Sequence, residues 1–241
     1  MHLQFFCDFD GTITRADVTD VLLEAFADPA WHVIEDEWLA GEIGSAECMA
    51  RQIALIRADR ATLDAALDAV PVDPHFAEFA AYCRRENLGL AIVSDGLDYA
   101  IRRILTRIGV VGVPVYANHL HLLDGGRYAL TSPNGVAGCG AGTCKCRIVA
   151  PGPVGETVLI GDGRSDFCGA TAATLTFAKD KLLAHCRAER LPHRPYRDFR
   201  DVLALTAAMV AARRAAADEA AEPHAGLAAA RLARLARGVA S

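Results

Sequence analysis

The sequence predicts an α/β protein built on a parallel sheet covered by helices, and three observations carry that prediction. Short apolar runs of strand length alternate with helical stretches. Three of the runs end on an acid beside a glycine, in "CDFDGT", "VSDG" and "IGDG". No run is long enough to be a membrane span, which takes about 18 apolar residues or more.

In chain order, "LQFFC" (residues 3–7) reads as a buried strand running into a tight loop at Gly11. From about residue 17 to 70 the pattern is helical, in the pieces "DVTDVLLEAFA", "AWHVIEDEWLAGEI", "SAECMARQIALI" and "ATLDAALDAV". Ser45, followed by Glu47 and Cys48, marks a helix start, and Pro71 and Pro74 close the section. "HFAEFAAYCRREN" is a further helix, "LGLAIVSDG" a second strand, "VGVPVYAN" a third, "ETVLIGDGRSD" a fourth and "ATLTFAK" a fifth. The final stretch is rich in Ala and Arg with breaks at Pro223 and Gly226, and reads as a loosely attached or partly disordered helical tail. A partner-binding helix is the other reading.

The 241 residues are 52% hydrophobic and 23% charged with a net charge of −5, which is ordinary for a globular chain and offers no basic surface for nucleic acid. The start "MHLQFFCDF" lacks a basic region followed by an apolar segment and cleavage site, so a cytoplasmic location with no membrane partner is expected. The eight cysteines (Cys7, Cys48, Cys83, Cys139, Cys144, Cys146, Cys168 and Cys186) are mostly scattered, as buried small hydrophobes would be. Cys139, Cys144 and Cys146 cluster in "CGAGTCKC"; with His119 and His121 they could hold Zn²⁺, form a redox-sensitive thiol pair, or simply be loop thiols.

In an open α/β sheet, ligands bind at the carboxyl ends of the strands, which is where the acids fall. Asp8, Asp10, Asp162 and Asp166 together would make a strongly anionic pocket, and a hard divalent cation with an oxygen shell, most simply Mg²⁺, resolves it. With Lys145 nearby, the pocket becomes attractive to a phosphate dianion. The chemistry suggested is displacement at phosphorus by a carboxylate. Asp8 attacks, while Asp10 protonates the leaving alkoxide and later deprotonates water. Thr12 and Ser94 offer hydroxyls, loop amides around Phe9, Asp10 and Gly96 can hold phosphate oxygens, and Lys145 neutralises charge on the transferring group. Trp31 and Trp38, seven apart on one helix face, are core or a substrate platform.

"DFDGTIT", "VSDG", the lysine in "GTCKC" and "GDGRSD" together resemble, in order, the four motifs of the haloacid dehalogenase superfamily, over about residues 3–205. The resemblance implies a Rossmann-like core of strand order 3-2-1-4-5 in residues 1–14 and 76–205. It also implies a small helical C1 cap in 15–75, which leaves the tail as 206–241. It makes Asp8 the nucleophile and Asp10 the acid/base, with phosphate contacts at Ser94 and Lys145; Asp95 and Gly96, beside Ser94, are further candidates for binding the substrate. Mg²⁺ would be held by Asp8, the Asp10 carbonyl and Asp162, and Asp166 would be a ligand or would support the ligands.

The chain is similar to the phosphoserine phosphatase-like branch, but Asp17 stands where those enzymes carry a Glu for the amino group, and Gln52 where they carry an Arg for the carboxylate. An amide does not replace a bidentate guanidinium. "FADPAW", "GDGRSDFCGA" and the Cys-rich run before Lys145 resemble instead MtnX-type phosphatases of methionine salvage, which are related to phosphoethanolamine/phosphocholine phosphatases. The expected partner is a small phosphorylated metabolite, with a homodimer left open. A non-catalytic phosphate-ligand-binding or scaffold protein is the reading of another class.

Overall fold

The computed structural model describes the backbone of residues 2–152 and 155–237, and the side chains of residues 3–152 and 155–219. Seven strands form one sheet: β1 (His2–Cys7), β2 (Gly89–Leu97), β3 (Val115–Leu123), β4 (Arg127–Thr131), β5 (Gly155–Gly161), β6 (Leu175–Ala178) and β7 (His193–Pro195). Their order is β4-β3-β2-β1-β5-β6-β7. All neighbours are parallel except the β3–β4 pair. The five strands read in the sequence thus lie in the expected 3-2-1-4-5 order, with two further strands added at the edges.

β1 is central and its side chains alternate between two apolar layers. Phe5, fully buried, meets Phe79 edge-on at 5.6 Å and Phe177 at 6.3 Å. Its neighbour Phe6 enters a second cluster with Val93, Leu159, Ala170 and Leu182. Each fully buried side chain of this size contributes about 1.5–3 kcal/mol. The layers are supplied by the helices α5 (Phe76–Arg85), α6 (Asp98–Arg107), α7 (Lys145–Val149), α8 (Phe167–Ala172) and α9 (Asp180–Ala188).

Four helices, α1 (Val18–Phe26), α2 (Trp31–Leu39), α3 (Ser45–Ile53) and α4 (Arg60–Ala69), lie between β1 and α5. The chain enters and leaves this segment through an antiparallel bridge between Thr14 and Val72, where Arg15 N donates to Pro71 O at 3.1 Å and Asp73 N to Ile13 O at 2.9 Å. Ser45 does begin α3, but Gly44 is its cap; the Ser45 hydroxyl is used elsewhere.

Contacts divide the chain into two compact units, Met1–Phe199 and Arg200–Ser241. The second consists of most of α10 (Phe199–Arg237), a helix of 39 residues. Pro223 and Gly226, expected as breaks, lie inside it, in an Ala- and Arg-rich run of high helix propensity. Residues 238–241 of the expected tail lie outside the described residues.

Candidate active site

β2, β1 and β5 are adjacent and parallel, so the three acid-bearing strand ends stand side by side. Asp8 continues the β1 ladder, its N–H donating to Ile160 O at 2.9 Å, and its side chain is buried. The chain then turns sharply, with the N–H groups of Thr12, Ile13 and Thr14 all donating to Phe9 O. Gly11 makes the turn with φ +71°, and a Cβ there would come within 2.6 Å of Asp162 Oδ2.

Lys145, the first residue of α7, is 1% exposed and places Nζ 2.8 Å from Asp8 Oδ1, 2.7 Å from Asp166 Oδ1 and 3.2 Å from Ser165 Oγ. Burial works against its charge, but Asp166 and Asp8 outweigh that and hold the ammonium well above its ordinary range. The other oxygen of Asp166 accepts the N–H groups of Asp162 (3.1 Å) and Gly163 (3.2 Å). Asp162 accepts the Thr12 hydroxyl at 2.6 Å. Asp8, Asp162 and Asp166 each present an oxygen within 4.8 Å of the others. Burial, then mutual repulsion, pushes the Asp8 carboxyl well up, and burial raises Asp162 despite Thr12.

Three clustered carboxylates against one ammonium leave two negative charges, which a divalent cation cancels; the all-oxygen donor set suits a hard ion such as Mg²⁺. Among the described residues this is the one such group, so His119, His121 and the "CGAGTCKC" thiols are not gathered as a preformed Zn²⁺ site. His119 instead pairs with Asp98 at 2.8 Å.

The Asp10 side chain stands apart from these three carboxylates. Its Oδ1 accepts Val18 N at 2.9 Å and its Oδ2 faces the Ser94 hydroxyl at 3.4 Å. Burial, then the charge of Asp17, pushes its carboxyl up to about 8, so it carries a proton at neutral pH. Ser94 Oγ accepts Gly96 N at 2.9 Å, and a Cβ on Gly96 would lie 2.5 Å from Asp10 Oδ2. Glycine is needed there for that close approach.

Several expected substrate residues have other occupations. Thr12 gives its hydroxyl to Asp162, so it positions one acid of the carboxylate cluster. Asp17 is the N-cap of α1, accepting Thr19 N and Asp20 N. Gln52 is buried, its amide donating to Glu35 Oε2 at 2.9 Å. Asp95 accepts the Ser45 hydroxyl (2.5 Å) and Thr143 N (2.8 Å), which ties α3 to the loop before Lys145. Trp31 is buried, whereas Trp38 carries the Arg164 guanidinium 6.0 Å above its ring. Ser165 on Lys145 and Asn118, whose amide holds Asp95 O at 2.5 Å, were not singled out in the sequence; nothing in their local spacing marks them.

A family model described as haloacid dehalogenase-like hydrolase matches residues 5–171. The chain belongs to this family. It is 32% identical over 208 residues to the 2-hydroxy-3-keto-5-methylthiopentenyl-1-phosphate phosphatase of Brevibacillus brevis, covering 83% of this chain and 93% of that protein. The Geobacillus kaustophilus protein of the same name is 31% identical, over 84% and 94%. Among solved structures, a substrate-bound phosphoserine phosphatase superposes with a TM-score of 0.61 at 19% identity, covering 85% of this chain and 97% of that one, a likeness of fold. The protein is thus a phosphatase of the haloacid dehalogenase superfamily, and the non-catalytic reading is set aside.

Proposed function

We propose that this phosphatase is a Mg²⁺-dependent phosphomonoesterase that works through an aspartyl-phosphate on Asp8. The observation that carries the reading is geometric: a buried Asp8 held by Lys145 at 2.8 Å, with Asp10 two residues on and its carboxyl beside Val18 N and the Ser94 hydroxyl. Asp8, Asp162 and Asp166, with the Asp10 carbonyl as expected from the motif, would hold the ion. When bound, Mg²⁺ supplies positive charge that keeps Asp8 ionised and neutralises the phosphate.

The unbonded oxygen of Asp8 attacks phosphorus as the ester P–O bond breaks, and Asp10 passes its proton to the departing alkoxide. Asp10, now a carboxylate, takes a proton from the water that attacks the phosphoryl group, which releases inorganic phosphate and restores both acids. Lys145, bonded to Asp8, and Ser94, beside Asp10, would donate to oxygens of the transferring group.

The segment 15–75 acts as a cap over this centre; its entry and exit are joined at the Thr14–Val72 bridge and Ser45 reaches Asp95. The substrate is a small phosphorylated metabolite of the 2-hydroxy-3-keto-5-methylthiopentenyl-1-phosphate type, as the names of the relatives suggest. Against phosphoserine, the Gln52 amide is engaged by Glu35, and Arg51 is taken up by Glu37 at 2.5 and 3.0 Å. A cytoplasmic place in methionine salvage is part of this proposal, and it rests on the sequence resemblance alone.

The test is phosphate release with Mg²⁺ from the methylthiopentenyl phosphate, phosphoserine, phosphoethanolamine, phosphocholine and a chromogenic aryl phosphate. A strong preference for the first is expected. Preference for phosphoserine would overturn the substrate reading.

A further inference from the structure

Lys145 stands between two cysteines whose sulphurs touch. Cys144 is the residue before α7 and is 3% exposed; Cys146 lies in the first turn and is half-buried. Their Sγ atoms are 3.4 Å apart. We propose that Cys144 and Cys146 are an oxidisable pair that closes to a disulfide under a hydroperoxide and, in closing, draws Lys145 away from Asp8 and Asp166. The consequence for turnover rests on the role given to Lys145 above; the cross-link itself does not.

The geometry makes the coupling direct. A disulfide needs its sulphurs about 2.05 Å apart, so closure moves them together by more than an ångström. The ring that forms contains the whole backbone of Lys145. That residue has little slack: its ammonium is held at 2.7 and 2.8 Å by two buried carboxylates, and a Cβ on Gly169 would come within 3.3 Å of its own Cβ. Only a small oxidant reaches Cys144, which favours a peroxide over a bulky disulfide. Burial raises the Cys144 thiol, but hydrogen bonds from Arg147 N–H and the neighbouring thiols of Cys146 and Cys139 outweigh it and lower it overall. The Cys146 thiol, bonded to Cys144, is pushed up to about 11. That direction favours Cys144 as the attacking sulphur, with Cys146 3.4 Å away to resolve it.

The Cys144 thiolate attacks one peroxide oxygen and the O–O bond breaks, giving a sulfenic acid and an alkoxide that leaves as alcohol with the thiol proton. Cys146 Sγ then attacks the Cys144 sulphur, and hydroxide leaves as water with the Cys146 proton. Two thiols and one hydroperoxide become one disulfide, one alcohol and one water; the sulphurs lose two electrons and the peroxide gains them. A thiol reductant reverses the change by exchange.

The test uses the full chain with Mg²⁺, treated with hydrogen peroxide, alkylated and mapped by peptide mass, with aryl phosphate hydrolysis and melting temperature followed in parallel. The expected result is a Cys144–Cys146 cross-link, loss of 2 Da, at least a tenfold fall in hydrolysis in proportion to it, and recovery with a thiol reductant. Displacement of Lys145 also lowers the melting temperature by about 5 °C, a readout that needs no substrate. Cys146→Ser keeps the reduced activity and gives no cross-link. The proposal is overturned if the bond joins Cys139 to Cys144 or Cys146 to Cys168. It is overturned equally if Cys144 and Cys146 stay unlinked at peroxide that oxidises the exposed Cys168, or if the linked protein keeps its melting temperature and activity. Reduced protein inactive on the whole substrate panel would count against the proposed function, while the mapping and melting results still decide this one.

Discussion

Lys145 Nζ and Asp8 Oδ1 lie 2.8 Å apart with both side chains buried, so a negative charge on Asp8, the proposed nucleophile, is balanced from inside the core. Lys145→Ala leaves Asp8 and Asp166 without their cation. In EDTA this variant is expected to lose about 3–5 kcal/mol of stability, the cost of breaking a buried ion pair. Mg²⁺ restores more stability to the variant than to the parent, because the ion supplies charge that the lysine no longer does. Turnover stays down by roughly 10²–10³ even with the metal, since the phosphate loses a donor. Urea unfolding with and without Mg²⁺, beside phosphate release, checks each part.

Asp10 links activity to pH. Its carboxyl stands at about 8 in the folded chain against an ordinary 3.8. Between those values the folded, metal-free protein holds a proton that the unfolded chain has lost, so stability is full below about pH 4 and falls as pH rises toward about 8. Asp10→Asn is expected to reduce that slope without abolishing it, because Asp8 and Asp162 are raised as well. The same variant lowers turnover by roughly 10²–10⁴, the usual worth of a general acid. Urea midpoints in EDTA across this pH range are the stability readout.

Gly11 holds the turn that brings Thr12 and Asp162 together. Gly11→Ala puts a methyl 2.6 Å from Asp162 Oδ2 at φ +71°, so the carboxylate must move. Mg²⁺ affinity is expected to fall by about 10–100-fold, as when the partner of a metal ligand is lost. Backbone strain costs about 1–2 kcal/mol more. Mg²⁺ titration of the melting temperature separates the two effects.

Much of this was legible because strands buried on both faces announce themselves: "LQFFC", "LGLAIV" and "ETVLI" become β1, β2 and β5, with their acids at adjoining ends. Two edge strands were missed. β3 was read only to Asn118, although "HLHLL", Asp124-Gly125-Gly126 and "RYALT" form a hairpin, with Tyr128 OH reaching Ala58 O at 2.9 Å. β7 is three residues ending on Pro195, too short for a period to show. At the site, Asp8, Asp162, Asp166 and Lys145 converge as their motifs imply. Gln52 and Asp95 are less readable, because a buried amide and a tether between segments depend on partners distant in sequence; Asp17 instead caps its own helix through Thr19 N and Asp20 N, a local signal beside the family position it occupies.

The central claim is that Asp8 carries the phosphoryl group, and Asp8→Asn tests it most directly. With Mg²⁺ and the substrate preferred in the panel, the variant is expected to keep its fold by circular dichroism, to melt no lower than the parent in EDTA, and to release no phosphate above background. A folded Asp8→Asn protein that turns over at the parental rate would contradict the account.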